Sequence, residues 1–423
     1  MRDETGIVQI ITEDADMFKG ITRESTVTIT GTVKLRTEDM INPNMKTGKI
    51  EILASSVEVL GECASILPFE INRSREEASE ETRLKYRYLD LRNPKVHDNM
   101  VFRFKVIDYI RSLMKSMNFT EISTPIITTS SPEGARDFII PSRKYKGKFY
   151  ALPQAPQIYK QLLMVSGFNK YFQIAPCFRD EDCRADRTLE FYQLDFEMSF
   201  VTEEDVYKVG EKIFYDVFSN FTDKYVSPAP FRRIPYSEAM LKYGSDKPDL
   251  RNPLIISELT NIFKNTTFTP FIGSTVRGIK VSNIEKSNSW YKKMEEYAKE
   301  IGMSGLAYLK VTEENTLKGS LDKYLTDEER SELFTSLELK INDTLFIVSD
   351  KKKCEKYAGL LRTKLGEELD LIDKDRYEFC IVNDFPFYEW NEEDNKWDFG
   401  HNPFSMPQGG LSLIHISEPT RLA

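Results

Sequence analysis

Between residues 171 and 200 the chain reads YFQIAPCFRDEDCRADRTLEFYQLDFEMSF, two β-like runs joined by a loop in which Arg179, Arg184 and Arg187 stand among carboxylates. Successive side chains of a strand point to opposite faces. On the return run this places Phe191, Gln193, Asp195, Glu197 and Ser199 on one face, and Tyr192, Leu194, Phe196, Met198 and Phe200 on the other. One face is therefore core, and the other carries a polar row. On the outgoing run Gln173 and Arg179 share a face, so Arg179 is expected to approach Gln193 and Asp195. Guanidinium forks suit phosphate oxygens and nearby acceptors suit amines, which fits a nucleotide triphosphate. The same pattern also fits a plain amphipathic hairpin with a solvated polar face and a salt-bridged loop, and on pattern alone both readings stay open.

Other elements must hold such a hairpin. Before it, Phe102, Val106, Ile110, Leu113 and Met117 recur at spacings of three and four, which predicts a buried amphipathic helix from about Asp98. FTEISTPII then alternates like a strand until Pro125, which cannot donate to a ladder and belongs at an edge or interface. Further upstream, GIVQI, STVTITGTVKLR and KIEILASSVEVL predict three strands of a small all-β module, and NRSREEASEETR reads as a hinge. Residues 252–375 carry two more strands, GLAYLKV and DTLFIVSD. They also carry two amphipathic helices, one burying Trp290, Met294, Tyr297 and Ile301 and stopping at Gly302, the other burying Cys354, Tyr357, Leu361 and Leu365.

Composition narrows the classes. At 423 residues, two to four domains are expected. No apolar run approaches the roughly 20 residues that cross a bilayer, and MRDETGIVQI lacks the features of a secretory signal. A cytoplasmic protein without a membrane partner is expected. The five cysteines are scattered and never form C-x-x-C, so neither a disulfide framework nor a zinc site is suggested. None of the three histidines accompanies a hydrolase signature, and the net charge of −9 argues against nonspecific coating of nucleic acid while leaving room for a local basic surface.

FRDEDCRADR followed by EFYQLDFE closely resembles motif 2 of class II aminoacyl-tRNA synthetases, specifically the bacterial-type aspartyl-tRNA synthetases. The helix leading to S-T-P resembles their motif 1, SPEGARDFIIPSRKYKGKFYALPQAPQIYKQLLM their aspartate-binding segment, RLKYRYLDLR their linker, and YGSDKPDLRNP the start of their insertion domain. The resemblance spans residues 1 to about 410. It implies an α+β fold: an antiparallel sheet flanked by helices, a partial N-terminal OB barrel and an inserted α/β domain. The implied domains are a partial anticodon-binding domain at 1–70, a linker at 71–95, a catalytic domain at 96–251, an insertion at 252–375 and resumed catalytic sequence at 376–410.

The resemblance also implies roles. Glu133 and Asp195 would receive the α-amino group of aspartate, Lys160 its side-chain carboxylate, and Gln157 would lie beside them. His401 would close over the amino acid. Arg179 would contact aspartate, grip the α-phosphate and act in catalysis. Asp180, Glu181, Arg187, Thr188 and Phe191 would meet ATP, with Phe191 stacked on adenine. Glu51 would contact the tRNA anticodon, and Pro125 would lie at a homodimer interface. ATP is implied as a substrate and Mg2+ as its companion, with no metal ligands assigned in this chain. Position 188 is Thr where many relatives carry Gln, and Asn402 stands where a second histidine is frequent. The family's metal carboxylates and motif 3 arginine are absent after HNPF, and residues 411–423 resemble nothing in the family, so a truncated, inactive chain with a non-native tail is expected. The alternatives are a noncatalytic relative that only binds tRNA or a partner, and a sister synthetase for lysine or asparagine. PEGARDF and the large insertion disfavour the sister enzyme.

Overall fold

The computed structural model describes residues 1–72, 77–130, 135–183, 187–391 and 395–399, and the chain divides into two compact units, Met1–Lys105 and Val106–Ala423. In the first unit three strands, β1 (Gln9–Ile11), β2 (Thr26–Leu35) and β3 (Ile50–Gly61), form a sheet ordered β1–β3–β2. β2 and β3 are antiparallel, with a register shift between Thr30 and Gly31. A Cβ at Gly31 would stand 2.4 Å from the Leu53 carbonyl oxygen, so only glycine lets the strands close here. The expected hinge is partly helical, with one helix at Glu80–Lys85 and a turn at Arg87–Asp90. Ser79 accepts from the Thr82 amide at 3.2 Å and caps the first, a local signal that lack of apolar periodicity concealed.

The helix α1 (Pro94–Ser116) starts four residues before the expected Asp98, because Pro94 suits a first helical turn. It ends where Asn118 adopts φ 64° and Phe119 donates back to the Met114 carbonyl. Burial differs from the predicted stripe. Phe102 is exposed, Leu113 and Met114 are buried, and Ile110 and Met117 are partly buried.

In the second unit β4 (Thr120–Glu121) is far shorter than the FTEISTPII run suggests. It lies parallel to β5 (Lys170–Phe178), which pairs antiparallel with β6 (Glu190–Met198), giving the order β4–β5–β6. Between β4 and β5 lies α2 (Gln157–Val165), and after β6 comes α3 (Glu203–Phe221). The apolar face of the hairpin is as predicted. Phe172, Leu194, Phe196 and Met198 pack with Leu113 and Met114 of α1 and with Ile213 of α3. Two members of the expected apolar row depart from it: Tyr192 is 53 % exposed, and Phe200 is 97 % exposed with φ 59°, because the strand has ended at Met198 and pleat alternation no longer aims the side chain.

A helix, α4 (Tyr236–Tyr243), leads into a five-stranded antiparallel sheet of β7 (Ile256–Glu258), β8 (Thr275–Val281), β9 (Ala307–Val311), β10 (Leu317–Gly319) and β11 (Thr344–Asp350), ordered β7–β8–β11–β9–β10. Helices α5 (Asn288–Glu300) and α7 (Cys354–Glu368) cover the face bearing Phe346 and Val348, and α6 (Asp327–Leu337) covers the face bearing Leu345 and Ile347. β11 is thus buried on both sides, which is why DTLFIVSD shows no alternation. On α5 the fully buried residues are Tyr291, Met294 and Ala298, with Trp290 and Ile301 partly buried. The predicted stripe was therefore one position off at Tyr297. On α7 the buried set is Cys354, Ala358, Leu361 and Leu365, with Tyr357 at its margin. The segment before β7 is tied to α7 by Arg362, whose buried guanidinium donates to the carbonyls of Leu254, Asn252 and Asp249 at 2.6, 2.7 and 2.9 Å. Nearby, a Cβ at Gly359 would lie 2.3 Å from the Gly244 carbonyl oxygen, so the contact between α7 and the end of α4 requires glycine.

Candidate active site

The polar face of the β5–β6 hairpin gathers a charged cluster. In register, Gln173 pairs with Asp195 and Tyr171 with Glu197. Above them α2 places Gln157 and Lys160 one turn apart, on one side of the helix. The Lys160 Nζ lies 3.0 Å from Asp195 Oδ1 and 2.9 Å from Glu197 Oε1, and the Lys160 and Asp195 side chains are nearly buried. Burial alone would push the ammonium's pKa down. The charges and hydrogen bonds of Asp195 and Glu197 outweigh it, and the net shift is upward. The group is a fixed cation facing two carboxylates. A cavity of about 690 Å³ is lined by Gln157, Lys160, Gln193 and Asp195 on its polar side and by Phe196 and Ile213 on its apolar side. Because it touches alternate residues of both faces of β6, it runs along that strand's outer edge.

The scaffold around the cluster is tightly bonded. Gln173 accepts from the Thr124 amide at 3.1 Å and donates to the Thr124 hydroxyl at 2.8 Å, fixing the segment before Pro125. Thr128 and Tyr159 join their hydroxyls at 2.9 Å, tying the segment after Pro125 to α2. Gln154, buried ahead of α2, accepts from the Ala135 amide and donates to the Ala135 carbonyl and Asp137.

Arg179 departs from expectation. Its backbone amide donates to the Leu189 carbonyl at 2.9 Å, and its guanidinium sits 5.0 Å from the Phe191 ring centroid. Among the described residues it forms no ion pair with Asp195 and does not reach Gln193. The reason is register: Cys177 pairs with Phe191, Ala175 with Gln193 and Gln173 with Asp195, so Arg179 meets Phe191 at the near end of the polar row while Gln193 and Asp195 stand further along the hairpin. Asp180 bonds through its backbone to Arg136, Glu181 pairs with Arg187 at 3.5 Å on an exposed surface, and the Thr188 hydroxyl donates to the Glu190 carbonyl at 2.7 Å. Glu51 lies in the first unit, within 3.6 Å of the buried Arg36 Nε. Pro125 is exposed. Glu133, Arg184 and His401 lie outside the described residues. Tyr171 was not singled out from the sequence, and Glu197, although on the expected polar row, was given no role. The register opposite Gln173–Asp195 and Tyr171–Glu197 was the available signal.

Residues 79–416 match the family described as tRNA synthetases class II (D, K and N). This chain belongs to that class II synthetase family. The protein named aspartate–tRNA(Asp/Asn) ligase in Rickettsia akari is 52 % identical, aligned over 99 % of this chain and 72 % of its own length. The Rickettsia bellii (strain OSU 85-389) protein of the same name is 51 % identical over the same shares. A solved structure from Leishmania major, described as that of a proposed aspartyl-tRNA synthetase, superposes with a TM-score of 0.50 at 17 % identity, covering 86 % of this chain and 85 % of that one. It supports the fold alone. In the synthetase described here, the α+β architecture and the hairpin are those expected of the class. Among the described residues no helix is long and apolar enough to cross a membrane.

Proposed function

We propose that this class II synthetase is an aspartate–tRNA ligase, which activates aspartate with ATP and passes it to the 3′ end of tRNA. The observation that carries the reading is Lys160, a nearly buried ammonium held between Asp195 and Glu197 at the cavity wall. A free aspartate brings a side-chain carboxylate for Lys160 and an α-ammonium for Asp195, so it can take over both ends of an existing ion pair. Asparagine offers no charge to Lys160, and lysine would bring a second cation to it, so both are rejected by an unpaired or like-charged buried group. The names of the Rickettsia relatives agree with this choice among the three amino acids of the family.

Gln157 stands beside Lys160 for a further polar contact, with Glu133 and His401 completing the amino-acid site. Arg179 holds the α-phosphate, and because its guanidinium already lies at Phe191, a base stacked on that ring and a phosphate on that arginine belong to one nucleotide. Asp180, Glu181, Arg187 and Thr188 line the rest of the ATP path. An oxygen of the aspartate α-carboxylate attacks the α-phosphorus, the bond to the bridging oxygen breaks and pyrophosphate leaves. A terminal ribose hydroxyl of tRNA then attacks the adenylate carbonyl, releasing AMP. Charge placement and orientation supply the catalysis. The family implies Mg2+ with ATP; among the described residues no three His, Cys, Asp or Glu side chains are arranged to hold a metal ion. The three-stranded first unit fits part of an OB fold, with Glu51 toward the anticodon.

Calorimetric titration of the purified chain with aspartate, asparagine and lysine tests the assignment. Saturable binding is expected for aspartate, at least tenfold tighter than for either other amino acid. Preference for asparagine or lysine would replace it with a sister specificity.

The homodimer follows from exposed apolar surface. Ile126 and Ile127 beside Pro125 are 45 % and 60 % exposed, and on the linked helix α2 Ile158, Leu162 and Val165 form an outward stripe. Sedimentation at micromolar concentration should give a dimer, and Leu162→Glu a monomer. A wild-type monomer would rule this surface out as the interface.

A further inference from the structure

Two groups in the cluster remain unexplained by packing. Tyr171 is fully buried, yet its hydroxyl has no formed hydrogen bond among the described residues. Asp195 gives Oδ1 to Lys160, while its Oδ2 is also buried and without a partner. Tyr171 lies on the face of the hairpin that carries Asp195 and Glu197, one register pair from Asp195. A buried donor and a buried acceptor thus sit side by side, each unmet, where a phenylalanine would fill the same space without loss. The neighbouring Gln173 amide is already engaged with Thr124.

We propose that Tyr171 is a positioning residue for Asp195, its hydroxyl being the donor that aims the carboxylate at the α-ammonium of the bound amino acid. The inference rests on the reading that Asp195 receives that ammonium. In the free protein Lys160 pulls Asp195 through Oδ1. When aspartate enters, its side-chain carboxylate takes Lys160, and Asp195 turns to the ammonium. Tyr171 then donates to the freed carboxylate and holds it toward the ammonium. Burial first, and then the charges of Asp195 and Glu197, push the Tyr171 phenol pKa well up, so the hydroxyl keeps its proton. The design spends stability in the empty site and recovers it in the complex.

The test is Tyr171→Phe in the full chain, read by thermal unfolding without ligand and by calorimetric titration with L-aspartate and, separately, ATP. Unfolding temperature should be unchanged or higher. The aspartate Kd should rise about tenfold, the weight of one hydrogen bond to a charged group, and the ATP Kd should stay the same. In an Asp195→Asn background, adding Tyr171→Phe should change the aspartate Kd by less than about twofold, because the acceptor it serves is altered. Unchanged aspartate affinity in Tyr171→Phe, or a fall in unfolding temperature with equal weakening of ATP, would overturn the positioning role. Unchanged aspartate affinity in Asp195→Asn alone would instead overturn the reading on which the proposal stands.

Discussion

Replacing Lys160 by methionine is expected to weaken aspartate binding by roughly 30-fold to 3000-fold while leaving ATP affinity within about threefold. The range follows from the 2 to 5 kcal/mol that truncating one partner of a buried, hydrogen-bonded charge pair costs, at about 1.4 kcal/mol per tenfold. Two effects act in the same direction. The substrate carboxylate loses the Lys160 ammonium, and Asp195 and Glu197, now without that cation between them, repel each other. Methionine keeps the length of the aliphatic stem, so packing against the cavity wall changes little. The pH dependence has a definite sign. Because the folded pKa of Lys160 lies above the ordinary 10.5, its contribution is complete below that value and fades only as pH rises through the raised one. Aspartate affinity of the wild-type chain should therefore be flat from about pH 6 to 9 as far as Lys160 is concerned. Titration calorimetry reads both expectations. If Lys160→Met binds aspartate like the wild type, another group reads the side chain.

Much of this site was legible from the sequence because a strand has only two faces. The alternation of Leu194, Phe196 and Met198 against Gln193, Asp195 and Glu197 needs no tertiary information, and it correctly placed the core under the hairpin and the charges above it. The approach of Lys160 to Asp195 is different. It joins residues 35 apart through the packing of α2 on the hairpin, and only the family resemblance linked them. Alternation put Arg179 on the right face, beside Phe191, but could not fix how far along the polar row it reaches, which the register decides; Phe200 was misread because it lies past the last paired residue of its strand, where alternation stops constraining direction. The order of the five-stranded sheet, β7–β8–β11–β9–β10, depends on long-range pairings that leave no local trace. Tyr171 was hidden by its own side chain, since an aromatic at the start of a strand reads as core whether or not its hydroxyl has work to do.

In a version of the enzyme spanning the full length of its curated relatives, Arg179→Ala is expected to slow aspartyl-adenylate formation by about 10-fold to 150-fold, measured as aspartate-dependent pyrophosphate exchange. A hydrogen bond to a charged group contributes about 1.5 to 3 kcal/mol, and each 1.36 kcal/mol of barrier is a factor of ten. The structure adds a reason to expect the upper part of that range. Among the described residues the Arg179 Nε is buried without a hydrogen-bond partner, and the guanidinium is held at the Phe191 ring, so the fork is already oriented and partly stripped of water before ATP arrives. Little reorganisation is then needed when charge builds on the α-phosphate in the transition state. Arg179→Lys separates charge from geometry. A lysine restores the charge but not the planar fork or the stacking on Phe191, so it should recover only a minor part of the loss. The aspartate Kd should move little in either variant, because Arg179 reaches neither Asp195 nor Gln193 in the structure. A large rise in aspartate Kd with an unchanged exchange rate at saturation would mean that Arg179 serves the amino acid rather than the phosphate. Near-normal exchange in Arg179→Ala would remove it from the reaction altogether.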